Sequence, residues 1–100
     1  MHTVTLKLVT IIAEPVLEDQ LTRALRTMGA SGWTVTACHG EGSRGRRVGE
    51  VPGDGIRVET VVSAGTADRI LEMVAQEYFP NYAVIAWLAD VQVARGEKYV

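Results

Sequence analysis

Between Gly40 and Gly55 the sequence reads GEGSRGRRVGEVPGDG, with Arg44, Arg46 and Arg47 falling inside four residues. Guanidinium forks beside backbone N–H groups that glycine leaves uncrowded are what a phosphate or another oxyanion needs. Arginine chosen three times over lysine strengthens that reading, because its planar fork matches carboxylate and phosphate geometry. The competing use is a solvated loop, since Glu41, Glu50 and Asp54 neutralise the cluster locally. Gly40-x-Gly42-x-x-Gly45 formally matches the dinucleotide fingerprint. However, Arg46-Arg47-Val48-Gly49 followed by Pro52-Gly53 cannot open the long helix that fingerprint requires. The glycines are read as giving flexibility and close backbone approach.

Other chemistries find little support. Cys38 and His39 are neighbours on a strand and face opposite ways, and one cysteine with two histidines makes no metal set. Glu14, Glu18 and Asp19 sit where they complement a helix dipole. No serine or cysteine nucleophile stands in a recognisable setting with a base, so an enzyme is not expected. A slow phosphatase activity on a bound nucleotide stays open. Net charge is −2, so no global field points to nucleic acid, and no basic-aromatic interleaving offers bases a stacking platform. The single cysteine precludes an intramolecular disulfide and fits a reducing compartment. The apolar start is interrupted by Lys7, ended by Glu14-Pro15, and too short to span a bilayer. It is read as a strand of a cytoplasmic protein.

These residues need a scaffold, and 100 residues, 47% of them apolar, make one folded domain. Thr3 to Ala13 is rich in β-branched residues and reads as a strand. Pro15 suits a first helical turn. Leu17, Leu21, Ala24, Leu25 and Met28 then recur at helical spacing until Gly29, placed as a left-handed cap. GWTVTACH and IRVETVV are strands. Thr66 is expected to cap a helix carrying Ala67, Ile70, Leu71, Val74, Ala75 and Tyr78, which Pro80 stops. AVIAWLADVQV closes the order as a last strand. The pattern βαββαβ predicts an α+β, ferredoxin-like domain over 1–100, with two helices on one face of an antiparallel four-stranded sheet.

The strands are apolar on both faces. Val4, Leu6, Leu8 and Ile12 oppose Val9 and Ile11; Ile85, Trp87, Ala89, Val91 and Val93 oppose Val84, Ala86 and Leu88. Two helices cover one face only, so a homo-oligomer with sheets packed inward is expected.

The quoted strands, together with Gly32-Trp33-Thr34-Val35-Thr36, Gly40-Glu41-Gly42-Ser43-Arg44, Arg57-Val58-Glu59-Thr60-Val61 and Tyr78-Phe79-Pro80-Asn81-Tyr82-Ala83, resemble the PII signalling superfamily. The similarity spans nearly the whole chain and is nearest the SbtB and carboxysome-associated CPII group. It implies a compact trimer whose inter-subunit clefts bind adenine nucleotides, and a T-loop at about 41–54 that reports the ligand to a target. Thr34 and Glu59 would line the cleft. Gly40 and Gly42 would allow approach to the phosphates. Ser43, Arg44 and Arg47, with Arg46 beside them, would contact phosphate. Tyr82 and Ala83 would stand in the B-loop place near the nucleotide.

Departures from the family pattern narrow the expectation. The Gly-Asp-Gly-Lys B-loop and the paired arginines of the last strand are absent, Gln92 and Ala94 standing there instead. The resemblance therefore favours AMP, ADP or cyclic AMP over tightly held ATP, with bicarbonate as a companion ligand. No metal, nucleic acid or membrane insertion is expected, nor a cysteine-based redox tail. The implied target is an inorganic-carbon (bicarbonate) transporter, which would recruit the cytoplasmic protein to the membrane. The alternatives are a CutA-like trimer of the same fold and an interaction module without a small ligand.

Overall fold

The computed structural model describes residues 1–40, 54–95 and 97. Strand β1 spans Val4–Ala13, α1 Glu18–Thr27, β2 Thr34–His39, β3 Asp54–Val62, α2 Ala64–Glu77 and β4 Ile85–Val93. The strands form one sheet in the order β2-β3-β1-β4, each pair of neighbours antiparallel. This is the α+β arrangement that the alternation of periods predicts.

The core lies between the helices and one face of the sheet. Val9, Ile11 and Ala13 of β1 and Ile56, Val58 and Val62 of β3 pack with Leu21 and Leu25 of α1 and Ala67, Ile70 and Val74 of α2. Tyr78 closes this layer. Its hydroxyl donates to Gln20 Oε1 at 3.4 Å and ties the end of α2 to α1. Burial, Glu77 and Tyr82 together push that hydroxyl's pKa upward.

Local signals place most element ends. Pro15 opens a 3-10 turn over Pro15–Leu17, and the α-helix proper starts at Glu18. Gly29 has φ 97°, donates to Arg26 O, and lets Ala30 reach back to Leu25 O. Those two bonds are a Schellman motif, so a side chain at Gly29 would be strained. Two expectations need correction. Thr66 is not the α2 cap: Ser63 is, its hydroxyl accepting from the Thr66 N–H at 3.4 Å. Strand β3 also starts at Asp54, not at Ile56, because His39–Asp54 and Cys38–Gly55 extend its ladder with β2. Asp54, expected at the end of the loop, is thus the first strand residue.

One buried hydrogen bond locks the start of β2. Thr60 is 3% exposed, and its Oγ1 donates to the Gly32 carbonyl at 2.6 Å. The Arg26 guanidinium lies 5.1 Å from the Trp33 ring and covers the same turn. Thr60→Val keeps the shape and orphans that carbonyl, so it is expected to cost about 1–3 kcal/mol, measured as a lower denaturant midpoint at unchanged slope.

Candidate functional site

The face of the sheet away from the helices carries the candidate residues Thr34 and Glu59. Cross-strand partners place residues in rows across it. One row reads Thr34, Glu59, Thr10 and Trp87 from β2 to β4. The next, nearer the 41–53 segment, reads Thr36, Arg57, Ile12 and Ile85. In the other direction Val61, Leu8 and Ala89, then Leu6 with Val91 and Val4 with Val93, make an apolar field. The polar row therefore borders a hydrophobic surface that no other described element covers, with Ile85 58% and Trp87 42% exposed.

Within that row Thr34 and Glu59, both expected to line the cleft, are direct cross-strand partners. Thr10 Oγ1 donates to Glu59 Oε2 at 3.0 Å, and Arg57 Nε and Nη2 approach the same oxygen at 3.4 Å. Thr10 is fully buried although no helix covers it, for it lies between Glu59 and Trp87 in the row. Thr10 and Arg57 are contacts that reading the sequence missed. The signal was present for Thr10, a hydroxyl between Leu8 and Ile12 on an otherwise apolar face of β1.

Gly40 directly follows the last paired residue of β2. A Cβ there would meet nothing within 4 Å, so the chain's own packing does not demand glycine. His39 Nδ1 stands 3.9 Å from Asp54 Oδ1, an exposed pair at the point where the chain leaves and re-enters the sheet. Gly42, Ser43, Arg44, Arg46 and Arg47 lie outside the described residues.

Tyr82 and Ala83 occupy the turn before β4. Tyr82 N–H and Asn81 N–H both donate to the Tyr78 carbonyl, and Val84 N–H donates to that of Tyr82. The Tyr78 and Tyr82 rings are 5.9 Å apart, which braces the turn. This turn and Gly40 share one end of the sheet, where Ala13 meets Ile56 and Ile12 meets Ile85. They stand at opposite edges, β2 and β4, about three strand spacings or roughly 14 Å apart. One chain does not bring them together.

Among the described residues no group of three or more His, Cys, Asp or Glu side chains could hold a metal ion, and Cys38 is a half-buried free thiol. No helix is long and apolar enough to cross a membrane among the described residues.

Comparison with known proteins joins this geometry to a family. The model of the family described as nitrogen regulatory protein P-II matches residues 6–98. A Thermus thermophilus protein described as PII-like signaling is 53% identical, with TM-score 0.86 and all of both chains covered. CPII from Thiomonas intermedia, solved with ADP and bicarbonate, is 26% identical at TM-score 0.85, covering 99% of this chain and 98% of its own. CPII solved with ADP, AMP and bicarbonate is 25% identical at TM-score 0.83, covering 98% and 96%. A split βαβ sheet with one helix-free face, matched over nearly its full length, places this chain in the nitrogen regulatory protein P-II family.

Proposed function

We propose that three copies of this chain pack their open sheet faces inward and bind adenine nucleotides in the clefts between them. The observation that carries the reading is the separation of Gly40 from Tyr82 and Ala83 at opposite sheet edges on one end. A second copy, docked edge to edge, supplies the missing half. The ADP and bicarbonate bound by CPII support AMP or ADP as ligand, with cyclic AMP and ATP as further candidates and bicarbonate beside the phosphates. Thr34 and Glu59 take the nucleoside side. Gly40, Gly42, Ser43, Arg44, Arg46 and Arg47 take the phosphates.

The T-loop, about 41–54, then serves as reporter. Each charge-assisted bond to phosphate contributes about 1.5–3 kcal/mol, against roughly 1–2 kcal/mol for each backbone residue that becomes fixed. One ligand therefore orders such a loop only in part, which suits a switch. The target it addresses is a protein such as a bicarbonate transporter, met by a cytoplasmic trimer at the membrane surface. No catalysis is assigned.

Calorimetric titration with AMP, ADP, ATP and cyclic AMP, each with and without bicarbonate, tests this reading. Binding in the micromolar range to at least one nucleotide is expected. Absence of heat from all four removes the sensor and leaves an interaction module that takes no small ligand.

A further inference from the structure

We propose that Thr10 and Arg57 are positioning residues that fix Glu59 so that its Oε1 accepts a hydrogen bond from a donor on the nucleoside half of the ligand. The inference rests on the nucleotide reading above and deepens it, naming what part of the ligand this end of the cleft recognises.

Three observations converge. First, every contact that the described residues make with the Glu59 carboxylate is to one oxygen. Thr10 Oγ1 and both Arg57 nitrogens meet Oε2, and among the described residues nothing bonds Oε1. Second, the holder is rigid. Thr10 is fully buried in the middle of β1, flanked by its partners Glu59 and Trp87, while the Glu59 side chain keeps 26% of its surface exposed. A hydroxyl buried beside one carboxylate oxygen, with the other oxygen left free, is how an outer residue orients a binding group. Third, distance sorts the ligand's parts. Glu59 is five residues along β3 from Asp54, where the loop rejoins the sheet, which is roughly 17 Å at a strand's rise. With the phosphates at the loop end, sugar and base lie toward Glu59. A carboxylate there suits a donor and disfavours further phosphate, so the tail-to-head direction of the ligand follows.

Two donors on an adenosine nucleotide share this chemistry, the sugar hydroxyls and the exocyclic amine. ADP, 2′-deoxy-ADP and inosine diphosphate separate them. Wild type should bind ADP about tenfold or more tighter than whichever analogue lacks the donor, because an acceptor built for that donor is left unpaired. Thr10→Val should lower ADP affinity by about five- to twentyfold and bring the ratio between ADP and that analogue toward one. Thr10→Ser should restore both. Arg57→Gln, at a half-exposed position that does not endanger folding, should shift the same ratio in the same direction. A purely structural role for Thr10 would lower thermal stability and leave the ratio untouched. The inference is overturned if Thr10→Val and Arg57→Gln keep the wild-type ratio, or if wild type binds all three ligands equally. Should wild type bind no nucleotide at all, the sensor reading itself fails and takes this inference with it.

Discussion

Replacing Arg44 and Arg47 together by alanine should weaken ADP binding about a hundredfold while leaving the assembly intact. Two charge-assisted bonds are worth about 3–6 kcal/mol in sum, and each 1.4 kcal/mol is a factor of about ten. The full amount will not be seen. In the reading proposed above, losing those bonds also spares the segment an ordering cost, which offsets part of the loss. Charge works the other way. Arg44, Arg46 and Arg47 balance Glu41, Glu50 and Asp54, so removing two arginines turns a neutral segment into one carrying two negative charges. Such a segment would repel a phosphate. Calorimetry with ADP, run beside light scattering, checks both halves of the expectation. Unchanged affinity in an intact assembly would mean that the arginines serve the loop's partner and not the nucleotide.

Ala89→Glu should abolish the oligomer proposed above and leave a folded monomer of about 10.9 kDa. Ala89 is exposed in the single chain, opposite Leu8 in the apolar field of the open face. The larger side chain meets no crowding there until a second copy arrives. On association each copy would bury an uncompensated carboxylate, at several kcal/mol per ion. Lys7 offers no rescue, because it lies on the helix side of β1 and pairs with Asp90. Far-ultraviolet circular dichroism should remain that of the wild type, and nucleotide binding should vanish with the interface. A variant that keeps the wild-type mass would show that the open sheet face is not where copies meet.

The architecture was legible because its signals are local and strong. Leu17, Leu21, Leu25 and Met28 mark one helix face, Gly29 its end, and runs of Val and Thr the strands. The two-sided apolar strands also announced that one face would lack cover, and Ile85, Trp87 and Ala89 do stand open. The sequence points to Thr66 as a cap for a simple reason. Two hydroxyls three residues apart, Ser63 and Thr66, both fit a cap pattern, and only the end of β3 at Val62 decides between them. Asp54 and Gly55 read as loop because both residues disfavour strands, yet pairing with His39 and Cys38 overrides that preference. Of the candidate site, short motifs named Thr34 and Glu59 as cleft residues, which the register makes neighbours, but Thr10 lies 49 positions from Glu59 and meets it only through the β1–β3 register. A long-range contact of that kind leaves no trace in spacing.

The placement of Gly40 and Tyr82 at opposite margins of one sheet has a genetic corollary for the assembly proposed above. A chain damaged at Gly40 and another damaged at the Tyr82 turn are each defective alone, yet their co-assembly rebuilds one sound cleft wherever two unharmed margins adjoin. Mixed rings of the two mutants would therefore regain part of a capacity that neither parent possesses.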